Sequence, residues 1–185
     1  MTPHDPTALP SGLPVPGDDG AADHLEGMRI PSIPLPSTDG DTLDLSTIAG
    51  TLVLYVYPKA GRPGVDPPPE WDAIPGARGC TPQSCAFRDH YGELRDLGAT
   101  VVGLSTQDTD EQRAFVANNH LPFTLVSDAE LRFATALDLP TFEFGDTTLL
   151  KRITFVAVDG VITKVFYPVF PPDRNPTDVI EYLRD

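Results

Sequence analysis

The sequence has 185 residues, of which 40% are hydrophobic, and a formal net charge of −14 at pH 7. A chain of this size can form one domain with a hydrophobic core, and its negative charge disfavours nucleic acid and anionic membranes as partners. No run approaches the ~20 apolar residues of a membrane span, and the amino end lacks the pattern of a secretory signal. Two cysteines are too few for a disulfide framework, so we expect a cytoplasmic protein.

Residues 1–27 differ in composition from the rest of the chain. They are rich in Pro, Gly and Asp and contain only scattered apolar residues. Such a segment cannot bury enough apolar surface to offset the entropy lost on ordering. We therefore predict a flexible tail over 1–27 and a folded domain over 28–185. His4 and His24 have no cysteine or clustered carboxylates at ligand spacing, so we predict no metal site in the tail.

The folded part is predicted to begin with short β elements. Asp39-Gly40 is a turn signal, and residues 46–49 predict a helical turn. The run Thr51 to Tyr57 is β-branched and aromatic, which predicts a buried central strand.

The stretch from Gly79 to Cys85 holds both cysteines of the sequence. Pro82 suits the first turn of a helix, and Thr81 can serve as its N-cap. Apolar residues then recur at helical spacing on one stripe, at Phe87, Tyr91 and Leu94. We predict a helix over residues 82–97, with Cys80 at its amino end.

The position and spacing of the two thiols suggest redox chemistry. A cysteine at the amino end of a helix faces unpaired N–H groups and the positive end of the helix dipole, which favour its reactive thiolate. Cys85 falls far around the helix from Phe87, so we predict that it points away from the core. Helical residues five apart are separated by about 7.5 Å along the axis, beyond the ~7 Å that a disulfide tolerates. A bond between Cys80 and Cys85 therefore requires the helix to unwind locally.

The rest of the chain alternates predicted strands and helices. Strands are predicted at residues 99–105, 124–127, 152–158 and 161–167, and helices at 109–118, 130–137 and 177–183. Asp159-Gly160 is a strong hairpin signal between the last two strands. An α/β fold, with a mixed sheet and helices on both faces, accounts for this order.

Several motifs resemble those of the peroxiredoxins, and within them the Q-type, also called bacterioferritin comigratory proteins. The matching residues are Tyr57-Pro58-Lys59, Gly79-Cys80-Thr81, Gln83, Cys85, Arg88-Asp89, and Arg152 with Thr154 and Phe155. The resemblance extends over residues 28–184. It implies a thioredoxin-like fold and thiol-dependent reduction of hydrogen peroxide and organic hydroperoxides.

The resemblance also implies roles for individual residues. Cys80 would be the peroxidatic cysteine and Cys85 the resolving cysteine, joined by a disulfide that thioredoxin or a similar dithiol reduces. Arg152 would stabilise the thiolate and the transition state, and Pro58 would shield the thiolate from water. No flavin, haem, metal or other cofactor is required, and we expect a monomer or a weak homodimer.

The sequence departs from the family pattern just before Cys80. The family places Thr or Ser three residues before this cysteine, whereas here Ala77, or in another alignment Arg62, takes that position. An inserted segment, residues 64–77, separates Pro58 from Cys80. It is rich in proline and contains Trp71, the one tryptophan of the sequence. Two interpretations of it stay open: a rigid surface loop, or a source of substitute contacts.

A second function remains compatible with these features. A redox switch of the same fold, with little peroxidase turnover, would need reactive thiols but not the missing hydroxyl. A disulfide reductase is disfavoured because the Cys-x-x-Cys motif is absent. An inert scaffold of the same fold would form neither a sulfenic acid nor a disulfide.

Overall fold

The protein is described by a computed structural model over residues 5–185. Its strands are β1 (Pro34–Pro36), β2 (Thr42–Asp44), β3 (Thr51–Val56), β4 (Ala99–Ser105), β5 (Thr124–Ser127), β6 (Thr141–Phe144), β7 (Thr147–Leu150), β8 (Ile153–Val158) and β9 (Val161–Phe166). Its α-helices are α1 (Pro69–Asp72), α2 (Cys80–Asp89), α3 (Tyr91–Asp96), α4 (Thr109–Asn119), α5 (Arg132–Leu137) and α6 (Asn175–Arg184). Within this range, none of the helices combines the length and apolar character needed to cross a bilayer.

The central sheet has the strand order β5-β4-β3-β8-β9. Strand β3 pairs in parallel with β4 and antiparallel with β8, and the outer pairs are β4–β5, parallel, and β8–β9, antiparallel. The sheet is therefore mixed, as predicted from the order of the elements. Its parallel half explains why the chain crosses over through helices between β3, β4 and β5.

Strand β3 divides the hydrophobic core into two layers. Successive side chains of a strand point to opposite faces, so Leu52 and Leu54 join one cluster, while Val53 and Tyr55 join the other. The first cluster includes residues of α5, and the second includes residues of α2, α3, α4 and α6. Helices on both faces of a mixed sheet confirm the predicted α/β, thioredoxin-like architecture.

One of the two long hairpins was predicted and the other was missed. Strands β8 and β9 pair antiparallel across Asp159-Gly160, as this dipeptide indicates. The sequence analysis left residues 141–150 unassigned, but they form the antiparallel pair β6–β7. The alternation of Phe142 and Phe144 with polar neighbours, followed by Gly145-Asp146, is a hairpin signal that could have found it.

The amino-terminal segment lies against the domain over residues 5–27, where composition had predicted a flexible tail. Leu25 is 0% exposed and joins the core. Asp19 pairs with Lys151 at 2.9 Å and accepts a 2.8 Å hydrogen bond from Tyr167, and these contacts hold the pKa of Asp19 well below its ordinary value. The few apolar residues of the segment are enough to anchor it, because they pack on a core that the rest of the domain already forms. Residues 1–4, including His4, lie outside the described residues.

Gly103 in β4 leaves space for the ring of Tyr55, and we predict that Gly103→Ala destabilises the fold. An added Cβ would lie 2.5 Å from Leu125 Cδ2 and 2.8 Å from Tyr55 Cζ. Overpacking of this kind typically costs about 1–3 kcal/mol, measurable by urea denaturation. The matched control is Gly92→Ala in α3, where an added Cβ meets nothing within 4 Å. Equal stability of the two variants would contradict the prediction.

Candidate functional site

Cys80 begins α2 and lies at the edge of a pocket. Its side chain is 4% exposed and lines a cavity of about 310 Å³ at the carboxyl edge of the sheet. The sequence analysis expected the helix to begin at Pro82 with Thr81 as N-cap. The structure corrects both points, because α2 begins at Cys80 itself and its N-cap is Gly79.

Gly79 allows the chain to enter α2 at this point. Its φ of 112° lies in the left-handed region that residues with a side chain rarely adopt. An added Cβ would lie 2.5 Å from Pro172 Cγ and 3.0 Å from Leu9 Cδ2. The glycine therefore brings the start of the helix close to two other segments of the chain.

The predicted helix over residues 82–97 is interrupted in the structure. Helix α2 ends at Asp89, α3 begins at Tyr91, and His90 between them has φ −98° and ψ 7°. Backbone hydrogen bonds nevertheless continue across the junction, from Leu94 N–H to the carbonyl of His90. The apolar stripe keeps its direction through the break, so Phe87 and Leu94 still reach the same core cluster.

Arg152 brings a buried positive charge to the sulfur of Cys80. Its guanidinium is delivered from the residue before β8, is 3% exposed, and places Nη2 3.3 Å from Sγ of Cys80. It also donates to the carbonyls of Gly76, Ala77 and Arg78, at 3.3, 3.0 and 3.3 Å. Among the described residues its acceptors are carbonyl or amide oxygens and this sulfur, none of them a carboxylate. The sulfur of Cys80 is thus placed where a negative charge on it would face the guanidinium.

A buried polar network holds the guanidinium from the opposite side. Arg152 Nη1 donates to Gln83 Oε1 at 2.5 Å, and Gln83 Nε2 donates to Asn175 Oδ1 at 3.0 Å. Thr154 Oγ1 donates to the same Asn175 oxygen at 2.7 Å. The network joins α2, β8 and the start of α6. The sequence analysis quoted Gln83 only as part of a motif, and nothing local marked Asn175.

Cys85 is buried, which corrects the prediction that it points away from the core. It is 7% exposed, and its Sγ lies 3.6 Å from Asn119 Oδ1. The prediction considered only the sheet side of the helix, whereas the end of α4 covers this second face. Burial raises the pKa of the Cys85 thiol, with Arg88 acting in the opposite direction. Both thiols are free here, and their spacing on one helix keeps them too far apart to bond.

Comparison with known proteins identifies the family. The sequence pattern of the Redoxin family matches residues 25–183 of this chain. Peroxiredoxin Q, chloroplastic, of Populus jackii is 34% identical over 161 residues, which cover 86% of this chain and 68% of that protein. The chain belongs to the redoxin family, as a Q-type peroxiredoxin. Its activity is therefore that of a thiol-dependent peroxidase.

Other relatives agree in sequence and in fold. The peroxiredoxin Q, chloroplastic, of Triticum aestivum is 32% identical over 162 residues, covering 86% of this chain and 67% of the relative. The crystal structure of peroxidoxin BcpB from Mycobacterium tuberculosis superimposes with a TM-score of 0.71 at 26% identity, over 87% of this chain and 97% of that one. A peroxiredoxin Q structure from Xanthomonas campestris, 24% identical, shares the fold with a TM-score of 0.64, over 94% and 96% of the two chains.

The residues aligned with the missing hydroxyl in this peroxiredoxin are Ala77 or Arg62. The methyl group of Ala77 is buried in a small apolar cluster, while its carbonyl oxygen lies 3.9 Å from Cys80 Sγ. The other aligned residue, Arg62, is exposed and pairs with Glu111 at 3.2 Å. Neither side chain supplies a hydroxyl, so the carbonyl of Ala77 is the polar group that three-residue spacing places beside the sulfur.

The inserted segment forms a small structured unit rather than a loose loop. It contains α1, and its Trp71 is 6% exposed and packs edge-on against Phe144 of β6, with ring centroids 5.0 Å apart. Arg78, directly after the segment, pairs with Asp72 of α1 at 2.8 Å. Of the two open interpretations, the contacts of Arg152 with the carbonyls of residues 76–78 favour a segment that contributes to the site.

Pro58 is buried just after β3 but does not line the pocket. The next two residues, Lys59 and Ala60, do. Ala60 is held by a pair of hydrogen bonds with the Gln107 side chain, at 2.9 and 3.2 Å. The suggestion that Pro58 shields the thiolate stays a prediction, and Pro58 is not among the residues that line the pocket.

The burial of Cys85 leads to a prediction about its reactivity. In a Cys80→Ser variant, the rate of Cys85 alkylation by iodoacetamide should rise about tenfold per pH unit until the thiol is ionised. The midpoint should lie above that of the same variant in urea, since burial disfavours the thiolate in the folded protein. The rates are measured by mass spectrometry. A folded-state midpoint at or below the urea value would contradict the prediction.

Proposed function

We propose that this peroxiredoxin reduces hydroperoxides through Cys80. The thiolate sulfur attacks one peroxide oxygen, so a sulfur–oxygen bond forms and the oxygen–oxygen bond breaks. The sulfur is oxidised to a sulfenic acid, and the other oxygen leaves as an alkoxide or hydroxide that takes up a proton. The observation that supports this assignment best is the buried guanidinium of Arg152, 3.3 Å from the sulfur and without a carboxylate among its described partners.

The proposed reaction requires stabilisation of two negative charges, one on the attacking thiolate and one that develops on the leaving oxygen. Arg152 stabilises the thiolate before attack and, through the same fork of N–H groups, the negative charge that develops on the leaving oxygen. The first N–H groups of α2 have no partners within the helix, so they add donors at the same end. Pro58, which precedes the pocket-lining residues Lys59 and Ala60, helps to keep water from the thiolate.

We assign to Cys85 the role of resolving the sulfenic acid. The Cys85 sulfur attacks the oxidised Cys80 sulfur, a disulfide forms, and the sulfenic oxygen leaves as water. Because the two residues are five positions apart on α2, this step requires the first turns of the helix to unwind. Unwinding also exposes Cys85, which is buried in the reduced state. A dithiol of the thioredoxin type then reduces the disulfide by thiol–disulfide exchange.

The same features lead us to propose a compartment, a substrate charge and an oligomeric state. A reducing compartment would keep both thiols free between cycles, and we place this peroxiredoxin in the cytoplasm, although the plant relatives are named as chloroplastic. Hydrogen peroxide and simple organic hydroperoxides are uncharged, so the charge of −14 does not repel them. No cofactor enters any step, and one polypeptide carries every residue used, which fits a monomer or a weak homodimer.

A redox switch with little turnover is the second candidate. It is favoured by the absence of a hydroxyl side chain at Ala77, whose carbonyl oxygen lies 3.9 Å from the sulfur. Peroxide added together with thioredoxin, thioredoxin reductase and NADPH separates the two. Sustained NADPH consumption indicates a peroxidase, whereas a single stoichiometric oxidation of the protein indicates a switch.

Substitution of Arg152 should slow the first oxidation. We expect Arg152→Gln to lower the second-order rate constant of Cys80 oxidation by about 100- to 1,000-fold, the usual effect of removing one preorganised donor at a developing charge. Arg152→Lys should recover part of the rate, because it restores the charge but not the planar fork. Stopped-flow fluorescence measures the rate, with the exposed Arg132→Gln as control. An Arg152→Gln rate equal to that of the control would exclude the role.

Substitution of Cys85 should trap the intermediate. After one equivalent of peroxide, mass spectrometry of the unaltered protein should show a Cys80–Cys85 bridge. Cys85→Ser should instead accumulate a sulfenic acid on Cys80 that dimedone captures. A bridge between two chains, or dimedone capture at Cys85, would contradict the assigned order of the two thiols.

A further inference from the structure

The pocket beside Cys80 is larger and more apolar than hydrogen peroxide requires. It measures about 310 Å³, and one wall carries the apolar side chains Val65, Pro68, Trp71 and Phe144. The first three belong to or border the inserted segment, and Phe144 comes from β6. A wall of this kind has no function toward a molecule made only of two hydroxyl groups, because apolar surface stabilises only apolar groups that leave water.

The wall is built before any ligand arrives. Trp71 is fixed edge-on against Phe144, with an interplanar angle of 83°, and Phe142 also packs against Trp71, with ring centroids 6.2 Å apart. The consecutive prolines at 67–69 restrict the backbone that leads into α1. Little side-chain or backbone freedom therefore remains to be lost on binding, which favours affinity for a group that fits.

Charges near the pocket favour an uncharged ligand. Arg62 pairs with Glu111, and Arg78 pairs with Asp72, so both arginines at the rim already have carboxylate partners. Lys59 is exposed and keeps its contact with water. The chain as a whole carries −14, which repels anionic substrates at a distance.

We propose that Trp71 and Phe144 bind the hydrocarbon group of an uncharged, bulky organic hydroperoxide and make it a better substrate than hydrogen peroxide. This inference rests on the proposed function. The Cys80 sulfur takes the terminal peroxide oxygen and is oxidised, while the carbon-bound oxygen leaves as an alkoxide and is protonated to the alcohol. The hydrocarbon group stays against the wall throughout, so the wall orients the peroxide bond toward the sulfur.

Two phenylalanines of β6 provide a matched test. Both are half-buried neighbours of Trp71, but Phe144 lines the Cys80 pocket and Phe142 does not. The readout is kcat/KM for cumene hydroperoxide divided by kcat/KM for hydrogen peroxide. Phe144→Ala should lower this ratio about tenfold, the usual scale of losing part of an apolar binding pocket, while Phe142→Ala leaves it within about twofold.

The outcomes separate this inference from the function on which it rests. Normal turnover with a ratio that Phe144→Ala does not change, or that Phe142→Ala lowers equally, overturns the assignment of the wall. Absence of turnover with either peroxide in the unaltered protein overturns the proposed function and the inference with it. A ratio lowered only by Phe144→Ala, in a variant that melts like Phe142→Ala, supports the inference.

Trp71 allows a second measurement that needs no variant. It is the one tryptophan of the sequence, so intrinsic tryptophan emission reports on the wall directly. Titration of the reduced protein with 2-phenylpropan-2-ol, the alcohol formed from cumene hydroperoxide, should change the emission and saturate, and the same alcohol should inhibit turnover competitively. Emission that stays unchanged through concentrations that inhibit the enzyme would place the hydrocarbon group elsewhere.

Discussion

A buried guanidinium without a carboxylate partner in the described chain is the dominant constraint on this site. Removing a charge from water costs several kcal/mol unless hydrogen bonds and an opposite charge compensate it. Arg152 donates hydrogen bonds to three main-chain carbonyls and to the side chain of Gln83, and its Nη2 lies 3.3 Å from the sulfur of Cys80. In the proposed mechanism, a negative charge on this sulfur would supply the compensating charge, and the thiolate is the nucleophilic form of a cysteine.

The same contacts couple the chemistry to the helix. Gln83 lies between the two cysteines on α2 and links Arg152 to Asn175 at the start of α6. In the proposed cycle, unwinding that brings Cys85 to Cys80 would remove Gln83 from both partners and leave buried polar groups without hydrogen bonds, which is costly. This cost favours the folded helix while the thiols are reduced, and under the proposal reduction of the disulfide would restore the site.

The inserted segment contributes both to the contacts of Arg152 and to the lining of the pocket. Its last residues, Gly76 and Ala77, and the next residue, Arg78, present their carbonyls to Arg152, and its middle carries Trp71, which lines the pocket. It can do both because it is anchored on the β6–β7 hairpin through Trp71, Phe142 and Phe144. The amino-terminal segment adds to this wall, since Pro6 also lines the pocket.

Local chemistry in the chain was enough to predict the buried strands, the β8–β9 turn, the α/β order and a thiol at a helix start, because periodicity and turn residues act over a few positions. The predicted start of α2 was two residues too late. The helix begins directly after Gly79, where the close approach of Pro172 leaves no room for a side chain, and this approach is a tertiary contact. Packing alone decided that Asn119 buries Cys85 and that Asn175 supports Arg152. Asn175 lies 92 positions from Gln83, and such contacts depend on which elements meet in three dimensions, which no short pattern encodes.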